Sequence, residues 1–387
     1  MRRELHLVSL VSGLSAALIA CGPPPDEARD FETTVGALGT VPVRTNMQGY
    51  TQTNGSHAIL FSTTNFNVMR AVGTPPAQRT FTNLGGAAFP SVQGIVRVDN
   101  VNAIYYVDMN TRHMHEIVNG QDVDFVSAVG APPGGTNFAV YKRSDNRTAL
   151  YYISDVNRHV IEVASNFGGN PAWLVGDLTA ATGGAVTGGF EVFAYRRSDN
   201  KDAILFRAEP GIGRVHEIAS NFGGSPAWIE SDLIDAAGLT LTGEGKPWGY
   251  ARSDGRNAVV FAGDDGKVHE LTNDPGHICS ANGKPWCHNI IATSSGFVGA
   301  PSAFVRWDGK NSVVYEAPAG VLKQSVLGNN GWVESTIGTT GNGTFFGGEP
   351  FAHRAPSAKN SILIRGDDFG IEFIQANGSS TWTQSIL

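Results

Sequence analysis

Residues Gly249–Leu271 read Gly-Tyr-Ala-Arg-Ser-Asp-Gly-Arg-Asn-Ala-Val-Val-Phe-Ala-Gly-Asp-Asp-Gly-Lys-Val-His-Glu-Leu. The stretch parses as three short strands, Tyr250–Arg252, Ala258–Ala262 and Val268–Leu271. Asp254-Gly255 and Asp265-Gly266 supply the tight turns between them, because hairpin turns need residues that tolerate positive φ. The same design returns at Phe193–Ile218, Phe138–Val163 and Ile95–Ile117, with weaker copies near Gly49, Phe304 and Phe351. Anchored on the small residue that opens the second strand, the copies fall at Ala58, Ala103, Ala149, Ala203, Ala258, Ser312 and Ser361. Their spacings are 45, 46, 54, 55, 54 and 49 residues. A fourth strand opening on Trp follows in five copies, at Trp173, Trp228, Trp286, Trp332 and Trp382. A period near fifty marks an array of small sheets, none of which can bury both faces alone. The expectation is an all-β, seven-bladed β-propeller of four-stranded antiparallel blades. Residues 41–387 form that one domain, closing by packing alone unless Val35–Arg44 adds a strand to the last blade.

The 387 residues include 48 glycines, carry only 16% charged residues and have a formal net charge of −7. Glycine-rich, charge-poor composition suits an all-β chain full of turns. The acidic balance, without a basic cluster, speaks against nucleic acid as a partner.

The amino terminus reads as an export signal over residues 1–21. Met1-Arg2-Arg3 is followed by an apolar run, Leu7–Ala20, too short for a comfortable membrane span. Leu18-Ile19-Ala20-Cys21 resembles a bacterial lipobox, which implies a diacylated Cys21, a membrane anchor and an exported protein at the outer membrane or cell surface. An ordinary secretory signal with an incidental cysteine is the alternative. Residues 22–40, opening with three prolines, read as a disordered linker. Cys279 and Cys287 remain, eight residues apart in one loop. In an exported protein they read as a disulfide; a metal site with His277 and His288 is the alternative.

Side-chain alternation puts Val268 and Glu270 on one strand face and His269 and Leu271 on the other. Glu recurs at 116, 162, 217 and 270. Arg recurs near the end of the first strand at 97, 143, 197, 252, 306 and 354. In the sixth copy Gln324 stands where the Glu belongs, and in the seventh Glu372 sits in a shifted context. Carboxylate, guanidinium and indole are what a sugar pocket needs: directional bonds to hydroxyls and an aromatic face for the ring's C–H side. The same residues can equally be structural, with Asp shaping turns, Trp packing between blades and Arg–Glu pairs bridging neighbours.

The Val-Val-Tyr/Phe second strand, Gly turn, Ile/Val-His-Glu third strand and Trp-opened fourth strand resemble the fungal and bacterial fucose-specific lectins over Gln48–Leu387. The resemblance implies a six- or seven-bladed propeller whose sugar contacts are an Arg of the second strand, the Glu of the third and stacking aromatics. The Glu carries over to Glu116, Glu162, Glu217 and Glu270, and the Trp to Trp173, Trp228 and Trp286. The Arg does not, since Ala258 occupies its place. The expectation is therefore an Arg supplied across the blade junction, giving composite pockets Glu162/Trp173/Arg197, Glu217/Trp228/Arg252 and Glu270/Trp286/Arg306. No Gly-x-Ser-x-Gly elbow, His-Glu-x-x-His, P-loop or dinucleotide fingerprint occurs, and Ser-Asp-Gly lacks the Thr-Trp of a sialidase Asp box. The chain reads as a non-enzymatic, cofactor-free glycan-binding lipoprotein, with a scaffold for an envelope protein partner as the alternative.

Overall fold

The computed structural model describes residues 33–35, 43–44, 46–73, 79–169, 172–184, 186–209, 213–221, 224, 225, 227–292, 299–339, 349–366 and 369–387. Seven antiparallel sheets follow one another along the chain, each drawn from one unbroken segment. The fifth is typical, with Gly243–Ala251, Asn257–Gly263, Val268–Asn273 and Cys287–Ala292 pairing in sequence order. Its first strand starts seven residues earlier than the sequence pattern suggests, because a register shift between Glu244 and Trp248 carries pairing past the Lys246-Pro247 interruption. The same irregularity recurs in the second, third and fourth blades.

The turns follow the predicted chemistry. Gly255 and Gly266 have φ of 84° and 74°, and Asn100, Asn146 and Asn200 take the left-handed conformation at the positions matching Gly255. Each second strand is buried on both faces, as in Asn257–Gly263, because the flanking blades cover it. Apolar clusters accordingly straddle the junctions: Tyr151 of the third blade packs with Phe206 and Trp228 of the fourth.

A polar stitch accompanies this packing at six junctions. The residue after the first-strand Arg position turns its N–H onto the side chain that opens the next blade's second strand. Thr53 N donates to Asn102 Oδ1 (3.1 Å), Val98 N to Thr148 Oγ1 (3.0 Å) and Ser144 N to Asp202 Oδ1 (2.9 Å). Ser198 N to Asn257, Ser253 N to Asn311 and Trp307 N to Asn360 continue the series.

The seventh junction closes the ring differently. Pro356 occupies the stitching position and has no N–H, and His57 stands where the other blades have Asn, Asp or Thr. His57 Nε2 and His353 Nε2 lie 3.0 Å apart, and Arg79 of the first blade donates to Glu372 of the last. Val43, Phe61, Leu363 and Leu387 share one buried cluster there. Closure is thus by side-chain packing together with these buried polar contacts rather than by packing alone. Among the described residues no strand pairs the first blade with the last. Thr33–Val35, within the segment read as linker, pairs antiparallel with Thr80–Gly85 on the first blade, not with the last.

The structure also contains short helices that the sequence pattern does not reveal. Phe125–Val129, Leu178–Ala181 and Leu233–Ala236 follow the fourth strands of blades two to four, N-capped by Asp124, Asp177 and Asp232. Cys279 and Cys287 are bonded, with Cα atoms 5.2 Å apart, so neither thiolate is left to ligate a metal. Cys21 lies outside the described residues.

Candidate functional site

Arg252 lies just past its first strand, and Glu270 sits on the third strand opposite Val260. Arg252 Nη1 donates to Glu270 Oε2 (3.0 Å), Tyr250 donates its hydroxyl to Oε1 (3.2 Å), and Asp254 accepts from Arg252 Nη2 (2.8 Å). The fourth blade repeats this with Arg197–Glu217 (2.5 Å) and Tyr195–Glu217 (2.7 Å). Arg143–Glu162 (2.7 Å) and Arg97–Glu116 (2.8 Å) complete the series, with Tyr105 taking the phenol role on Glu116 from the second strand (2.6 Å).

This arrangement corrects the expected composite pockets. Each Arg pairs with the Glu of its own blade, so Glu162 meets Arg143 rather than Arg197, and Glu217 meets Arg197 rather than Arg252. Likewise Glu270 meets Arg252 rather than Arg306. The reason is sheet order: first and third strands flank the second, leaving their Arg and Glu within one side chain's reach on a single sheet. The junction is still composite, but the indole crosses it in the other direction. Trp173 of the third blade lies 5.9 Å from Arg97 of the second, and Trp228 of the fourth lies 5.6 Å from Arg143 of the third. Trp286 packs with Tyr195 and Leu205 of the preceding blade.

These cores are closed. Glu270 is fully buried, and Glu217, Trp228 and Trp286 are buried as well. Burial pushes the Glu162 and Glu270 carboxyls up, against the pull of Arg143 and Arg252. Burial also works against the Arg197 cation, but Glu217, Tyr195 and Asp199 outweigh it and hold the guanidinium above its usual range. A carboxylate satisfied by an Arg and a phenol of its own blade, in a dry setting, braces that sheet rather than meeting a ligand. The second–third junction is the least closed of the four. Arg97 there lies 4.5 Å from the ring of Phe167, whose side is exposed. The third-strand histidines point away from the Glu, as alternation requires: His269 contacts Asp265 and His288, both at 2.8 Å.

The sixth blade departs from the pattern, and there the junction opens. Gln324 occupies the Glu register, opposite Val314, and donates to Ser312 Oγ (2.7 Å). Phe304 replaces the first-strand Tyr, so no phenol is present. Among the described residues the Arg306 side chain therefore meets only the turn residue Asp308, through Nη2 (3.0 Å), and its buried Nε finds no hydrogen-bond partner. A cleft of about 650 Å³ lies between the sixth and seventh blades, lined by Arg306, Gln324, Ser335, Ser379 and Trp382.

Two further register findings refine the sequence pattern. In the seventh blade, Ala355 rather than Arg354 matches Arg252, because His353 pairs with Ser361 as Tyr250 pairs with Ala258. Arg354 instead caps Val305 O and Arg306 O of the sixth blade, both at 2.7 Å. Glu372, read as shifted, is in register, opposite Leu363. Its guanidinium comes from Arg79, which no repeat position announces.

The chain matches no protein-family model and no curated protein in sequence. Solved structures do resemble it. A structure of the fucose-specific lectin from Aleuria aurantia has a TM-score of 0.52 at 14% identity, covering 89% of this chain and 97% of that one. Another structure of that lectin, described as a six-bladed β-propeller with a novel fucose recognition mode, has a TM-score of 0.51 at 12% identity. It covers 89% of this chain and 96% of that one. A prolyl endopeptidase structure has a TM-score of 0.55 at 12% identity, covering 90% of this chain but 50% of that one. At such identities the likeness is one of fold, and both binding proteins and an enzyme share it.

Proposed function

We propose that this propeller is a carbohydrate-binding protein, held at the bacterial envelope by a lipid on Cys21, with its principal sugar site in the cleft between the sixth and seventh blades. The observation that carries this reading is the exchange at a single junction. Glu gives way to Gln324 and Tyr to Phe304, which leaves the Arg306 fork without the Glu that its counterparts in blades two to five hold. A guanidinium with spare donors takes a pair of ring hydroxyls or a sugar carboxylate, Trp382 supplies a face for the apolar side of a pyranose, and Ser335 and Ser379 add hydroxyls. The likeness to a fucose-specific lectin makes fucosides the first ligands to try. The Arg97/Glu116/Trp173 junction, edged by exposed Phe167, is the second position on this reading. Two weak sites on one displayed domain would gain by avidity.

The test is a glycan array probed with the full chain and with Arg306→Ala, Trp382→Ala and Glu217→Gln variants. Binding lost in the first two and retained in a folded Glu217→Gln protein is the expected result. Binding indifferent to Arg306 and Trp382 would move the site elsewhere. Silence of the folded protein across the array would overturn the sugar reading in favour of an envelope protein partner.

A further inference from the structure

A second cavity, of about 460 Å³, runs along the propeller axis, and all seven innermost strands or their leading residues line it. Its two halves differ. On the side of the first three blades, Gln48 and Gln93 spend their amides on the backbone of the next blade, through Gly94 N, Phe138 O and Val140 N. On the other side the wall is aromatic. Phe193 and Trp248 have ring centroids 4.3 Å apart, and Phe351 meets Trp248 edge-on at 5.6 Å.

Two opposite charges line this cavity within electrostatic reach of one another, yet among the described residues neither makes a direct ion pair. Lys246 Nζ lies 5.5 Å from the centroid of Phe193 and makes no ion pair or side-chain hydrogen bond among the described residues. The Glu349 carboxylate also lines the cavity and likewise makes no direct ion pair or side-chain hydrogen bond among the described residues, while its backbone N–H donates to Asn46 Oδ1 (3.3 Å). The nearby Glu191 pairs directly with Arg207 (2.8 Å) and acts on Lys246 only at a distance. Burial lowers the Lys246 ammonium's pKa and raises that of Glu349, and the attraction between the two charges does not offset it. Charges taken out of water without a direct contact partner are costly, and a ligand that brings a complementary charge to each lowers that cost.

We propose that the axial cavity is a binding site for a small aromatic zwitterion, with the chemistry of an aromatic amino acid. Its ring stacks on the Phe193–Trp248–Phe351 wall, its carboxylate meets Lys246 and its ammonium meets Glu349. The volume falls within the range of about 300–1,000 Å³ usual for small-molecule pockets. A neutral sugar would answer neither charge, so this site is separate from the blade cleft and does not depend on the reading given to it.

Isothermal titration of the full chain with L-tryptophan, tryptamine and indole-3-propionate tests the assignment. Tryptophan is expected to bind at least about tenfold tighter than either singly charged analogue, since one charge pair of that quality is worth about 1.4 kcal/mol. Lys246→Met should abolish the preference over tryptamine, and Glu349→Gln the preference over indole-3-propionate. Arg306→Ala should leave tryptophan binding unchanged. Equal affinity for the three ligands, no binding of any, or loss of tryptophan binding in Arg306→Ala would each overturn the proposal. The ligand series on the unaltered protein decides the matter even if a cavity variant fails to fold.

Discussion

Arg79 of the first blade donates to Glu372 of the last, so the guanidinium that other blades take from their own first strand reaches the seventh from across the closing junction. Both side chains are almost wholly inaccessible. Removing one partner of a buried pair strands the other charge, which typically costs about 3–5 kcal/mol. Arg79→Met should therefore lower the unfolding free energy by that order in denaturant titration. The double variant Arg79→Met/Glu372→Gln should recover a substantial part of it. A single variant as stable as the parent would show that the pair contributes nothing to closure.

The same junction predicts acid sensitivity. Burial, with His353 and Arg79 nearby, lowers the His57 pKa to about 2, and burial lowers that of His353 to about 4. Both rings are neutral in the fold, whereas in the unfolded chain they titrate near 6.5. The unfolded state thus binds more protons below that value. The stability due to these groups is present above pH 6.5 and is lost as pH falls from 6.5 through about 4. Replacing both with Gln should flatten the melting temperature between pH 6.5 and 4. Equal pH slopes in variant and parent would refute the assignment.

Close approach rather than turn geometry fixes Gly249. A Cβ there would sit 2.3 Å from Cδ1 of Tyr195 in the preceding blade. Tyr195 cannot retreat without breaking its bond to Glu217. Gly249→Ala should cost about 1–3 kcal/mol through overpacking. Gly255→Ala, in open space but at positive φ, should cost about 1 kcal/mol through backbone strain alone. Chemical denaturation of the two side by side separates the causes.

The Cys279–Cys287 bond closes a short loop ahead of the fifth blade's outer strand. A loop of this size restricts the unfolded chain by about 2–3 kcal/mol. Cys279→Ser/Cys287→Ser should lower thermal stability accordingly while leaving intact the glycan binding proposed for the cleft between the sixth and seventh blades. A loss of that binding would tie the loop to the site.

Blade number, strand order and the Asp-Gly turns were legible because each rests on local chemistry: small residues opening buried strands, and Gly or Asn where φ is positive. The partners of Arg197 and Arg252 were not. Recurrence shows that Arg and Glu occur together in copies two to five but not which copy supplies which partner, and only register decides between Glu162 and Glu217. Gln324 was visible as a departure, yet its consequence, an Arg306 without a carboxylate and an open cleft, needed the neighbouring blade in place. Arg79, Lys246 and Glu349 lie outside the repeated motif altogether, so periodicity gave no sign of them.

Each blade is drawn from one uninterrupted segment, and six junctions share one stitch while Pro356 and His57 confine the exception to the seventh. A chain organised this way has a movable size. Duplicating or deleting one segment of about fifty residues within the stitched series adds or removes a whole blade and leaves the seam untouched. Such a ring can pass between six and seven members in a single genetic step, with only curvature to be re-accommodated by the blades that remain.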